Sequence, residues 1–261
     1  MKQPDEILLA GTGNLAAHLA RLFADIAGFR LDVAGRDPAK THEFCNKFGG
    51  LPFREEEGKQ YLAVIVCVSD QAIESVAAKY GRKGAVLIHT SGASPMETLL
   101  TFHQSVGVFW PVQTFTAGRE IGWTGLPVCI QSNDSLAADF LSLVTERTGI
   151  MPVESTSADR LRYHLAAVFV CNFVNHLYAL ADIWCREHLL ETETLKALIL
   201  ETARKVQSLE PPEAQTGPAK RHDIQSLDKH LELLSDHPAL KQVYTLLSKQ
   251  IMNRYQYLLK P

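Results

Sequence analysis

Along the first 155 residues, apolar positions gather in short unbroken runs separated by stretches of helical spacing. Ile7-Leu8-Leu9-Ala10, Leu31-Asp32-Val33-Ala34 and Leu62-Ala63-Val64-Ile65-Val66-Cys67-Val68 are the clearest runs. Their brevity and β-branched content suit strands covered on both faces, where the alternation of a half-exposed strand disappears. A further strand is predicted at 85–89, with shorter ones at 106–110, 127–130 and 151–153. Residues 14–26, 38–48 and 73–80 read as helices between them. Strands alternating with helices at this spacing predict a parallel, doubly wound α/β sheet.

From Ser157 the pattern changes. No strand is predicted there, and helices take over at 159–188, 191–207, 225–234 and 238–259. The longest carries apolar residues on nearly every face of its middle, which predicts that much of it is buried. Leu209-Glu210-Pro211-Pro212-Glu213-Ala214-Gln215-Thr216-Gly217-Pro218 is a breaker-rich connection between helices. The chain is expected to divide into an α/β domain over 1–155 and an all-α domain over 156–261. No internal repeat is visible.

Composition narrows the function classes. Of 261 residues, 46% are hydrophobic and 21% charged, and the formal net charge is -3, so no global positive field recruits nucleic acid or an anionic membrane. The start, Met1-Lys2-Gln3-Pro4-Asp5-Glu6, is polar and lacks the regions of a signal peptide. The longest apolar stretches stop short of the roughly 18 residues that suggest a membrane span. Five cysteines (45, 67, 129, 171 and 185) form no CxxC pair, and no Cys/His cluster has metal-ligand spacing. A cytoplasmic protein with free thiols, no metal, no membrane and no nucleic-acid partner is expected.

Gly11-Thr12-Gly13-Asn14-Leu15-Ala16 follows the first strand and opens the first helix, matching G-x-G-x-x-[GA]. The first glycine permits the tight turn, the second lets backbone approach a pyrophosphate, and the small third residue allows helix–strand packing. The helix start then offers free N–H groups and a partial positive charge. Such a match can also be a plain strand-to-helix turn, but the flanking strands and helix favour a dinucleotide-binding Rossmann domain. The second strand ends in Ala34-Gly35-Arg36-Asp37-Pro38, where an arginine can neutralise a 2′-phosphate and so favours NADP(H). Asp37 is the competing feature, since its carboxylate could hold a ribose hydroxyl. Ligands in open α/β sheets collect at the carboxyl ends of strands. Val68, Ser69 and Asp70 are therefore expected beside the adenosine half and Thr90, Ser91 and Gly92 near a nicotinamide, while His89 reads either as a substrate contact or as an ordinary strand-end histidine.

Taken in order, the glycine loop, Ala34-Gly35-Arg36-Asp37-Pro38 and Ile88-His89-Thr90-Ser91-Gly92 resemble those of a known group. Trp110-Pro111-Val112-Gln113-Thr114-Phe115, Tyr163-His164-Leu165-Ala166-Ala167-Val168-Phe169-Val170-Cys171-Asn172-Phe173 and Glu213-Ala214-Gln215-Thr216-Gly217-Pro218-Ala219 extend the likeness over almost the whole chain. The group is that of bacterial Rossmann-plus-helical proteins labelled NADP oxidoreductases, whose C-terminal domain is related to the helical domain of 6-phosphogluconate dehydrogenase. Pyrroline-5-carboxylate reductases, deazaflavin-dependent NADP reductases and β-hydroxyacid dehydrogenases belong to the wider superfamily. The resemblance implies hydride transfer in a cleft between two domains, and a homodimer built from the helical halves. One departure matters. The β-hydroxyacid dehydrogenases carry a lysine one turn before an asparagine on the first helix of the second domain. Here Val168 stands at that offset from Asn172, and no lysine lies between Lys83 and Lys196.

His164 and Asn172 lie two turns apart on one predicted helix. A histidine, with an ordinary pKa of roughly 6.5, could relay the proton when a carbonyl or imine is reduced. Asn172 could orient a substrate oxygen or the nicotinamide amide. Both could equally be a buried polar pair. Gln113, Gln215 and Thr216 join His89 as expected substrate contacts, although Gln215 and Thr216 could equally only cap helices, and Arg160, Arg162 and Arg221 are the candidates for holding a carboxylate. The expected function is an NADP(H)-dependent oxidoreductase of a small molecule. The alternative is an NADP(H)-binding sensor or interaction protein without catalysis.

Overall fold

The computed structural model describes residues 5–26, 28–56, 59–116 and 118–255. The expected polar start at residues 1–4, and the last turn of the final helix at 256–259, lie outside them. Among the described residues, eight strands form one sheet: β1 (Asp5–Ala10), β2 (Phe29–Ala34), β3 (Leu51–Pro52), β4 (Tyr61–Val66), β5 (Gly84–His89), β6 (Val106–Pro111), β7 (Pro127–Ser132) and β8 (Met151–Glu154). Their spatial order is β3-β2-β1-β4-β5-β6-β7-β8. Every pairing is parallel except β6 with β7. The sheet is the doubly wound, mostly parallel one expected, with one antiparallel pair near its β8 edge, and β3 is too short to show any periodicity in sequence.

Helices α1 (Asn14–Asp25), α2 (Pro38–Phe48), α3 (Ile73–Tyr80) and α4 (Ser135–Thr148) cover the sheet. Strand residues of alternate parity feed two layers. Ile7 and Leu9 pack with the apolar faces of α1, α2 and α4, whereas Leu8 and Ala10 pack with Ile73, Ala77 and Tyr80 of α3. Both faces of β1 are therefore dry, which is why its sequence reads as a continuous run. The order reverses beside β1, with β2 on one side and β4 on the other, so a crevice opens at the carboxyl ends of these strands.

After β8 the chain becomes helical: α5 (Ser157–Ala167), a π-helical turn (Val168–Phe173) and α6 (Val174–Glu187). Compactness divides the chain at Phe173/Val174, whereas the change from strand to helix falls between Glu154 and Ser157. The first unit thus holds the sheet, α5 and the π turn. The second holds α6, α7 (Lys196–Ser208), α8 (Pro211–Ala214), α9 (Ile224–Leu233) and α10 (Pro238–Tyr255). Within it, Lys220 Nζ donates to the Gln215 carbonyl at 2.7 Å and Lys205 Nζ to the Ala214 carbonyl at 3.0 Å. Tyr255 Oη donates to the Pro212 carbonyl at 2.8 Å, so three side chains fix the breaker-rich segment.

Within the single chain, the long helix is not buried as expected. No residue of Val168–Phe173 is buried, Val170 is 75% exposed, and Cys185 is the buried residue of α6. Apolar side chains on every face exceed what one sheet edge or neighbour can cover, so the surplus remains at the surface. The stretch Ser157–Glu187, 31 residues with a mean hydropathy of 1.4 over its most apolar part, is also long and apolar enough to cross a membrane by length and composition. That corrects the reading that every apolar stretch falls short of this length. Interspersed small and polar residues hide it from a count of consecutive apolar positions.

Candidate functional site

At the carboxyl end of β1, Gly11 adopts φ +141°, and a Cβ there would lie 1.9 Å from the Cys67 carbonyl oxygen. Only glycine lets the β1 and β4 ends run this close; the Cys67 N–H donates to the Ala10 carbonyl and the Gly11 N–H to the Ala34 carbonyl, both at 2.8 Å. Gly13 is different. It starts α1 without any side-chain cap, and a Cβ on it would meet nothing within 4 Å. Uncapped N–H groups beside open space form a cradle for an anion. Ala16 is fully buried against the sheet, as the small third position requires.

The cradle opens into a crevice of about 1090 Å³, at the upper end of the usual size for small-molecule sites. Gly11, Thr12, Gly13, Asn14 and Leu15 form its floor; Arg36 closes the β2 end; Val68, Ser69 and Asp70 close the β4 end. Thr90, Ser91 and Gly92, after β5, line it together with His164 of α5. Every residue expected to hold a cofactor therefore lines one crevice. The Asn14 amide also donates to the Phe115 carbonyl at 3.2 Å, and His18 Nε2 lies 3.0 Å from the Thr116 carbonyl. These contacts tie the segment after β6 to the first turns of α1.

At the β2 end, the two competing features separate. Asp37 caps α2, its Oδ1 accepting from the N–H groups of Ala39 at 2.9 Å and Lys40 at 3.2 Å. That oxygen serves the helix cap, and Asp37 is not among the residues that line the crevice. Arg36 lines the crevice, is exposed and has no ion pair among the described residues.

At the β5 end, a Cβ on Gly92 would lie 2.6 Å from the Trp110 ring and 2.8 Å from His164 Cδ2. The Trp110 and His164 rings pack at 5.8 Å between centroids. Gly92 thus admits both rings beside the crevice. Ser91 Oγ accepts from the N–H groups of Ala93 at 3.1 Å and Ser94 at 2.9 Å, which holds the turn.

His89, expected at the substrate, is fully buried and absent from the crevice lining. Its Nδ1 accepts from the Ser91 N–H at 3.1 Å, so it shapes the turn from behind. Burial first, and the Arg160 charge second, push its pKa down to about 3, leaving it neutral. Burial likewise pushes the Cys67 thiol up to about 12.

Arg160 points inward rather than toward a carboxylate. It is fully buried, donating through Nη1 to Gln131 Oε1 and through Nη2 to the Ser94 carbonyl, both at 2.7 Å. Arg162 pairs with Asp159 at 2.9 Å on the surface. Asn172 is exposed in the π turn, away from the residues that line the crevice. Gln113 is exposed and accepts from the Thr114 N–H at 2.8 Å. In the second unit, Gln215 Nε2 donates to the Thr216 carbonyl at 2.9 Å, and Thr216 is exposed. Sequence reasoning missed Trp110 as a wall of the His164 corner and the whole α3 face of the crevice. Ala72, Ser75, Val76 and Lys79 on that face follow an i, i+3, i+4, i+7 stripe that could have flagged it.

Residues 126–251 match a family described as a domain of unknown function, DUF2520. A "putative NADP oxidoreductase" from Bacteroides fragilis has a crystal structure similar to this one, with a TM-score of 0.88 and 33% identity over 96% of this chain and 99% of that one. The chain belongs to this Rossmann-plus-helical family. More distant structures share the fold alone. A Thermotoga maritima protein, TM1727, is 22% identical with a TM-score of 0.71, covering 97% of this chain and all (100%) of that one. The 1-pyrroline-5-carboxylate reductase of Streptococcus pyogenes is 14% identical with a TM-score of 0.61, covering 97% and 98%. No protein of curated function matches the chain.

Proposed function

We propose that this DUF2520-family chain is an NADP(H)-dependent oxidoreductase acting on a small molecule. The observation that carries the reading is the division after β2: Asp37 caps α2 through Oδ1 and is absent from the crevice lining, whereas Arg36 lines it. The NADP oxidoreductase label of the Bacteroides fragilis relative supports it. The residues fit the cofactor, because the Gly13 cradle is open where a pyrophosphate needs room and the uncapped α1 N-terminus favours negative charge. When bound, NADPH supplies the hydride.

The chain's own residues do the rest. Thr12 and the N–H groups at the start of α1 hold phosphate oxygens, and Arg36 pairs with the 2′-phosphate. Ser91 and Thr90 offer hydroxyls at the β5 end. His164, seated between Gly92 and Trp110, gives a proton to the oxygen or nitrogen that gains charge as hydride arrives. Asn172, Gln113, Gln215 and Thr216 remain proposed substrate contacts.

The test is NADPH oxidation by the purified protein with a panel of carbonyl and imine substrates. Turnover with one class supports an oxidoreductase, whereas tight NADPH binding with no consumption supports a sensor. With a substrate in hand, His164→Ala is expected to lower turnover by about 100-fold with cofactor affinity little changed. Unchanged turnover per folded molecule, with a lowered melting temperature, would make His164 structural.

A further inference from the structure

The α3 wall of the crevice carries a charge that the reading above does not use. Ile73, Ala77 and Tyr80 turn into the sheet, and the neighbouring stripe of Ser75, Val76 and Lys79 faces the crevice. Lys79 and Arg36 are then cations on two different elements lining one space. The crevice lining holds a single carboxylate against them, Asp70. Neither cation forms an ion pair among the described residues, and the Lys79 ammonium sits 4.9 Å from the centre of the Tyr80 ring. Its charge is thus steadied by an aromatic face without being neutralised.

Two cations lining one space favour an anion within it, the more so the closer they stand. A phosphate monoester carries about -1.5 to -2 charge near neutrality, more than one guanidinium compensates. We infer that Lys79 is the second cation of the 2′-phosphate subsite and, with Arg36, selects a dinucleotide phosphorylated on its adenosine ribose. This rests on the NADP(H) reading. Arg36 supplies a planar fork from the β2 end, and Lys79 a mobile point charge from α3.

Titration of wild type, Lys79→Met and Lys79→Arg with NADPH and with NADH, read by calorimetry, tests it. Lys79→Met should weaken NADPH binding by about tenfold or more, as loss of a charged hydrogen bond does, and change NADH binding by less than about twofold. Lys79→Arg should keep the preference. Retained NADH binding in Lys79→Met also serves as the check that the crevice is intact. Equal losses for both nucleotides would make Lys79 an adenine or pyrophosphate contact, and no loss would make it a surface lysine; either overturns the inference while leaving the cofactor reading in place. Wild type that bound neither nucleotide would overturn both.

Discussion

At the scale of single residues, the glycines of the crevice differ by what an added Cβ would meet. At Gly11 it would collide with the Cys67 carbonyl, at Gly92 with Trp110 and His164, and at Gly13 with nothing. Gly13→Val should therefore leave the fold and its melting temperature nearly unchanged while abolishing dinucleotide binding by titration. Undiminished binding would reduce the glycine loop to a turn. The motif itself was legible because each position answers a local steric need. His89 was not, because a strand-end histidine reads the same whether it faces a ligand or the interior. Its depressed pKa has a consequence for stability. Between about 3 and the ordinary value of roughly 6.5, the unfolded chain binds a proton that the folded chain refuses, so stability falls as pH drops through this window. The slope from this group approaches 1.4 kcal/mol per pH unit at about its steepest. Urea midpoints at pH 7 and pH 5.5 should differ less in His89→Asn than in wild type, and an identical pH response would reject the assignment.

At the scale of elements, α5 is tied to the sheet by Ser157, whose Oγ accepts from the Met96 N–H at 3.2 Å, and by the buried Arg160. Arg160 joins it to the Ser94 turn after β5 and to Gln131 of β7, one helical turn before His164. Its fully buried guanidinium has neutral partners only, with Nε unpartnered among the described residues. Arg160→Ala should cost about 3–5 kcal/mol by stranding those acceptors and leaving a cavity. Hydrogen exchange of the α5 amides should rise by more than that of α1, and uniform protection in both helices would contradict the tether. Sequence periodicity found α5 but could not assign its inner face, since Arg160 breaks the rule that charge lies outside. Asn172 was placed by spacing along an unbroken α-helix. The π turn Val168–Phe173 interrupts that spacing, and no residue pattern announced it.

At the scale of the whole molecule, alternation of strand and helix made the sheet legible, and its loss after Glu154 marked the all-helical part. Phe169, Phe173, Leu177 and Trp184 already read in sequence as more apolar surface than a small bundle buries alone, and the first three are exposed while Trp184 is half-buried. Phe169, Val170, Phe173 and Ile183 are each more than half exposed. Large contiguous apolar surface marks an association site, and a homodimer through these helices is the expected outcome. Light scattering at micromolar concentration should give twice the chain mass of 29.0 kDa, and a monomer would count against it.

The central claim, that this crevice takes NADP(H) through Arg36, is tested most directly by titrating wild type and Arg36→Ala with NADPH and NADH. Wild type should prefer NADPH, and Arg36→Ala should lose about 1–3 kcal/mol of NADPH binding with NADH nearly unchanged. Equal affinity of wild type for the two nucleotides, or equal losses on substitution, would contradict it.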